Sequence, residues 1–382
     1  MIIPYGKQDI TKKDIEAVVK VLRSSFLTQG PSVPAFEQKL CEYTSAKYAV
    51  AVNSCTSALH IACIALGLKH GDILWTSPIT FVASANCALY CGATVDFVDI
   101  DPGTALMSVE SLSDKLKKAE KKGRLPKIVI PVHFAGQPCD MKGIYDLSLQ
   151  YGFKIIEDAA HAIGAKYQNE IIGNCKYSDI TVFSFHPVKI ITTGEGGASL
   201  TNSSSLSQKM SLLRSHGITR DPSKMKSNLN ISWYYEQIDL GFNYRMTDIQ
   251  AALGISQMDR LDQYVSNRVK IANFYNDKFK NTIIKPLSNK SDRNSSHHLY
   301  VIKMSNNKIR NALFDKLLES KIGVNLHYIP VYKHPYFKIN KLLDNSEKYY
   351  NCAISIPIFP SLEFNNIEYI ANIILDFVKK KS

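Results

Sequence analysis

Short β-prone runs alternate with helical stretches through the first two-thirds of this 382-residue chain, and few folds accept that order. β-Prone runs fall at residues 48–52, 72–75, 94–98, 128–132, 153–156 and 180–185. Helical spacing predicts helices over 10–23, 35–44, 56–66 and 83–91, the first capped by Thr11. Residues 24–34 read as a turn-rich loop. Strands that alternate with helices imply an α/β fold on a mostly parallel, doubly wound sheet. A reverse strand is expected at 197–201.

From Thr247 the pattern changes. Ile249, Ala252, Leu253, Leu261, Tyr264, Val265, Ile271, Ala272, Tyr275 and Phe279 repeat with helical period, which predicts one long, bent helix. Beyond it come a strand at 298–303, a helix at 308–320, a strand at 324–327 and a terminal helix at 367–380. The expected division is a large domain over 1–250 and a smaller α+β domain over 251–382.

Composition narrows the function class. Hydrophobic residues make up 45% of the chain and charged ones 21%, which argues against disorder. No run approaches the roughly 20 apolar residues of a membrane span, and the N-terminus carries no apolar leader core. A cytoplasmic protein is expected. The eight cysteines form no CxxC pair and find no matching histidine pair, so reduced core thiols are expected and no metal. The net charge of +12 is spread among Asn, Ile and Tyr rather than clustered with stacking aromatics. It favours an anionic small molecule over nucleic acid.

Open α/β sheets bind ligands at the carboxyl ends of their strands. Lys189 stands there, in FSFHPVK, just past the run 180–185. Asp158 follows the run 153–156. An amine after one strand and a carboxylate after another is the pair that pyridoxal 5'-phosphate (PLP) needs. The lysine forms the imine, and the carboxylate keeps the pyridine nitrogen protonated. Apolar Val188, Ile190 and Ile191 flank the lysine, and a dry amine is a better nucleophile at neutral pH.

Other residues admit two readings each. Cys55, Thr56 and Ser57 open a helix after a strand, so they form either a phosphate cradle or an ordinary start capped by Ser54. Ser184 is either a phosphate donor or a strand-end turn. Phe81 either stacks on a flat ring or packs in the core. Asp158 alone would serve equally as a helix cap. His161, three residues on, either covers the ring or is structural.

The motifs NSCTSALH, PITFVASAN, EDAAHAIGA, FSFHPVKIITTGEGG, RSHGITR and LGFNYRMTDIQAALG, in that order, resemble the DegT/DnrJ/StrS family of PLP-dependent sugar aminotransferases. The likeness runs from Tyr5 to about Gln257 and continues more weakly through GVNLHYIP. FSFHPVK and WYYEQIDLGFNYRMTDIQ, with His161 where many relatives have Gln, are most similar to the pseudaminic acid branch. The resemblance implies a fold-type I transferase with a three-layer large domain. It implies Lys189 as catalytic residue, Asp158 on the ring nitrogen and Phe81 on the ring face. Cys55, Thr56 and Ser184 would hold the phosphate, together with Asn243 of a neighbouring subunit in a homodimer. Tyr5, Ser25, Phe26, Leu27, Thr28, His327 and Tyr328 would contact the substrate. That substrate is expected to be a UDP-linked 4-keto-6-deoxy sugar, with L-glutamate as amino donor. Arg220 and Arg245 are candidates for the donor's carboxylates.

Rival readings are the same chemistry on a legionaminic acid or bacillosamine precursor, and a non-catalytic PLP-binding regulator. The family's dehydratase branch replaces the lysine with histidine, whereas this chain keeps Lys189. A dinucleotide-binding protein would need a GxGxxG after an early strand, which is missing.

Overall fold

A computed structural model describes residues 2–227, 231–339 and 341–380. Its centre is a seven-stranded sheet. The strands are β1 (Tyr48–Val52), β2 (Ile73–Thr76), β3 (Thr94–Phe97), β4 (Ile128–Ile130), β5 (Lys154–Asp158), β6 (Ile180–Ser184) and β7 (Gly197–Thr201). The spatial order is β1-β7-β6-β5-β4-β2-β3. β3, β2, β4, β5 and β6 run parallel, and β7 runs against both β6 and β1, as the expected reverse strand.

Period-2 alternation splits the strand residues between two cores. Val50, Val52, Leu74, Ile128, Ile130, Ile156, Ile180 and Val182 pack on one face. Ala51, Trp75, Val129, Ile155, Phe183 and Ala198 pack on the other. Helices cover both faces, which gives three layers. The helix α3 (Cys55–Ala65) is buried on nearly every side, from Ser57 to Cys63 and at Ala65. Its small residues let it lie close to the sheet. At the opposite face, Phe36 and Leu40 of α2 (Ser32–Thr44) are completely buried.

Before α2 comes α1 (Lys12–Leu22), opened as expected by Thr11, with Asp14 completing a capping box. The long helix predicted after Thr247 is instead two, Asp248–Met258 and Leu261–Phe279, broken at Asp259–Arg260. Arg260 Nη2 at that break donates to the buried carboxylate of Asp14 at 2.6 Å, tying the corner to α1. Residues 324–327 do not form the expected strand. Only Asn325 makes a bridge, to Ser355, and the chain then turns into the cavity described below.

A second core gathers Ile271, Tyr275, Ile302, Leu313, Ile354, Ile370 and Ile374, among others. Its small sheet joins Lys285–Pro286, Tyr300–Lys303 and Ala353–Ile356. Ile3, from the other end of the chain, packs against it and pairs with Ile322. The buried guanidinium of Arg268 donates from Nη1 to the carbonyls of His297, His298 and Ile358, which anchors the segment that presents His298. Among the described residues no helix is long and apolar enough to cross a membrane, and no His/Cys/Asp/Glu cluster is shaped for a metal. All eight cysteines are free thiols.

Candidate active site

A cavity of about 660 Å³ opens at the carboxyl ends of β1, β2, β4, β5 and β6, against residues 298 and 325–329. It is lined by ten of the residues expected from sequence: Tyr5, Cys55, Thr56, Phe81, Asp158, His161, Ser184, Lys189, His327 and Tyr328. Its size suits a cofactor with part of a substrate.

Two acidic residues end β5, and the pleat separates them. Glu157 is satisfied in a pocket of its own, where it accepts from Thr181 Oγ1 at 3.0 Å and pairs with His133 Nε2 at 2.8 Å. Asp158 is the one in the cavity wall. Its Oδ1 accepts from the Ala160 amide at 3.1 Å and its Oδ2 from Ser84 Oγ at 2.6 Å.

The backbone amide of Lys189 donates to His186 O at 2.9 Å, while its side-chain amine makes no hydrogen bond or salt bridge among the described residues. Burial lowers its basicity, with Cys55 and Asp158 acting the other way. Burial, with Asp158 nearby, pushes the Cys55 thiol well up, so it stays protonated. The α3 N-terminus is capped by Ser54, whose Oγ accepts from Ser57 N at 3.1 Å. Cap and cradle therefore coexist. The cap takes the third amide of the helix, while Cys55 and Thr56 face the cavity.

His161 is buried, and its Nδ1 accepts from the Ala135 amide at 3.3 Å. Its single proton is therefore on Nε2, which donates to Tyr328 Oη at 3.2 Å. Burial, then Lys189, then His327 hold its pKa well below the usual histidine range, so the ring is neutral. Burial and Asp158 raise the Tyr328 phenol. It stays protonated and has its own hydrogen to give. Burial and Lys189 push His327 down to about 3, and its Nδ1 lies 2.8 Å from Ser355 Oγ. Phe81 is 60% exposed, which rules out the core reading and leaves its ring at the cavity mouth.

The other expected residues lie elsewhere on this single chain. Leu27 O accepts from the Asp248 amide, Thr28 bridges Thr247, and Phe26 and Leu27 are about half exposed. Asn243 is exposed and bridges Ser215. Arg245 bridges Val52, and Arg220 stacks toward Tyr235. Sequence reasoning missed Thr80, Ser84, His298 and Asn325, all in the cavity wall. Thr80 and Ser84 flank Phe81 in PITFVAS at helical spacing. His298 closes a polar Ser-Ser-His-His run ahead of a buried strand. Both signals were present in the sequence.

The donor set fits PLP. A helix N-terminus and the Ser184 hydroxyl suit a phosphate, Asp158 suits a ring nitrogen, and Lys189 suits the aldehyde. Gly197, where β7 begins, makes room for this cradle. A Cβ there would fall 2.6 Å from the Cys55 amide nitrogen.

The sequence profile of the DegT/DnrJ/EryC1/StrS aminotransferase family matches residues 8–375. The chain belongs to this family. It is 38% identical to the UDP-4-amino-4,6-dideoxy-N-acetyl-β-L-altrosamine transaminase of Campylobacter jejuni, over 99% of this chain and 98% of that protein. Its structure matches that of Helicobacter pylori PseC, described as an aminotransferase of pseudoaminic acid biosynthesis, with a TM-score of 0.92 and 31% identity over the whole of both chains. The PLP form of a putative sugar aminotransferase from Streptococcus pneumoniae matches at 0.88 and 27% identity, over 100% of this chain and 99% of that one. The DegT-family chain is thus a PLP-dependent aminotransferase of nucleotide sugars with the fold-type I architecture.

Proposed function

We propose that the enzyme moves an amino group from L-glutamate to C4 of a UDP-linked 4-keto-6-deoxy-N-acetylhexosamine. The product is UDP-4-amino-4,6-dideoxy-N-acetyl-β-L-altrosamine, on the route to pseudaminic acid. The observation that carries this reading is the likeness, over nearly the whole of both chains, to the altrosamine transaminase.

When bound, PLP supplies the carbonyl that accepts the amine and the electron sink that stabilises the carbanion. Asp158 holds the ring nitrogen protonated. Cys55, Thr56 and Ser184 hold the phosphate, while Phe81 and His161 cover the ring. Lys189, with its lowered basicity, takes the proton from the donor's α-carbon and delivers one to C4 of the sugar. Tyr5, His327 and Tyr328 meet the sugar nucleotide.

A homodimer completes the site. Asn243 contacts the partner's phosphate, and Ser25, Phe26, Leu27 and Thr28 contact the substrate. The exposure of Phe26, Leu27, Trp233 and Leu240 on the single chain supports a partner surface.

The test is incubation with glutamate and each candidate UDP-4-keto sugar, with NMR of the product. UDP-2-acetamido-2,6-dideoxy-β-L-arabino-hex-4-ulose should be aminated in preference to its D-xylo epimer. The two differ at C5, where a methyl contact is worth about 1–3 kcal/mol, so some turnover of the epimer is expected. Equal or greater efficiency on the D-xylo sugar rejects this substrate and leaves the aminotransferase standing.

A further inference from the structure

Five residues of one segment reach the cavity, Thr80 to Ser84, and two of them are hydroxyls facing each other. Thr80 Oγ1 and Ser84 Oγ are 2.7 Å apart, and Ser84 Oγ lies 2.6 Å from Asp158 Oδ2. All three residues are buried, at 3%, 1% and 4% exposure. The direction of the chain follows from proton counting. The carboxylate only accepts, so the one hydrogen of Ser84 goes to Asp158. Ser84 therefore accepts from Thr80. The relay runs from Thr80 to Ser84 to Asp158.

We infer that Ser84 is a positioning residue for the cofactor-binding carboxylate, and that Thr80 acts through it. The inference rests on Asp158 as the partner of the pyridine nitrogen. A carboxylate at a strand end is free to rotate about χ2. Here Oδ1 is pinned by the Ala160 amide and Oδ2 by Ser84, from two different segments. That leaves one fixed orientation for its remaining lone pairs. A donor to a charged acceptor is stronger than one between neutral groups, and the Thr80 hydroxyl polarises Ser84 further. The same segment carries Phe81. One short stretch thus places both the ring-stacking side chain and the donor that orients the ring's counter-charge. Ser84 sits in the first turn of α4 (Ala83–Tyr90), a rigid support.

The experiment measures PLP dissociation constants by titrating full-length apoenzyme, together with kcat and KM, for five proteins. These are wild type, Ser84→Ala, Thr80→Val, the Ser84→Ala/Thr80→Val double variant and Asp158→Asn. Ser84→Ala should weaken PLP by about tenfold or more, the lower end for loss of a hydrogen bond to a charged group. It should lower kcat while the sugar KM holds. Thr80→Val keeps the shape and removes only the outer donor, so its effect should be smaller. The double variant should match Ser84→Ala, because the hydroxyls act in series. Wild-type PLP affinity in Ser84→Ala, with Asp158→Asn impaired, overturns the inference and spares the role of Asp158. Additive losses in the double variant also overturn it, since independent packing defects add. Wild-type affinity in Asp158→Asn overturns the underlying reading as well. Should Ser84→Ala fold poorly, the PLP affinity of the near-isosteric Thr80→Val decides the relay: a clear loss supports it, and no loss refutes it.

Discussion

Asp158 and Lys189 reach one cavity from neighbouring strands: β5 ends in Asp158, and Lys189 lies just past the end of β6, with Ile156 and Ile180 as register partners. The parallel pairing brings both strand ends to the same edge of the sheet. Thirty-one residues of separation in sequence thereby become one site.

Gly197 is the first test of the cradle. A Cβ there falls within 2.7 Å of Ser54 C, Cys55 N and Cys55 Cα, so Gly197→Ala must push the α3 N-terminus away. Overpacking of this kind costs about 1–3 kcal/mol. PLP affinity of the apoenzyme should fall by about tenfold, with a lower Tm. Unchanged PLP affinity contradicts the placement of the phosphate.

The dimer can be tested by complementation. A Lys189→Ala chain and an Asn243→Ala chain should each be inactive alone. Mixed dimers would hold one site with an intact Lys189 and an intact partner Asn243, so activity should return. Demonstrated subunit exchange with no activity contradicts a shared site.

Asp14 supports the corner between α1 and the two helices after Thr247. Burial opposes its ionisation, but Arg260 and Thr11 outweigh that and hold its pKa below the usual range. A lowered folded pKa stabilises fully above the unfolded value of about 3.9, and that support is lost as pH falls from there through the lower folded pKa. Asp14→Ala also removes the charge partner of Arg260, which keeps its hydrogen bonds to Tyr264 Oη and Ser256 O, at a cost of about 1–3 kcal/mol. Urea unfolding should show the loss at pH 7, and the variant should respond less to acid below pH 4 than wild type does.

Three buried histidines give a separate pH window. His161, His298 and His327 all have pKa values pushed down, chiefly by burial. A lowered folded pKa means that the unfolded chain gains the proton first, so stability is lost as pH drops below about 6.5. For His327, pushed down to about 3, the loss by pH 5 is about 2 kcal/mol, and the other two act in the same direction. The urea midpoint should drop between pH 7.5 and 5.0, and less so in His327→Asn. Equal midpoints would show that these rings protonate freely in the fold.

Much of this was legible in the sequence, for identifiable reasons. The parallel strands β2, β4 and β6 announce themselves because buried parallel strands are near-continuous apolar runs; Asp158 ends β5 and Lys189 stands just past β6. The break at Asp259–Arg260 reads in sequence as a bend within one helix because both helices keep the same apolar period. Residues 324–327 read as a strand because their β-prone side chains serve a ligand wall instead of a ladder. Ser84 was passed over although its helical spacing from Thr80 stands in PITFVAS. Only its distance to Asp158 reveals another use. The pleat that turns Glu157 toward His133 and Asp158 into the cavity wall is seen only in the structure.

The most direct test of the account is where the cofactor attaches. The holoenzyme should be treated with borohydride, digested and mapped by mass spectrometry. A reduced pyridoxyl label is expected on Lys189 alone, and none on Lys189→Ala. A label on another lysine, or none on folded and PLP-loaded wild-type protein, would contradict it.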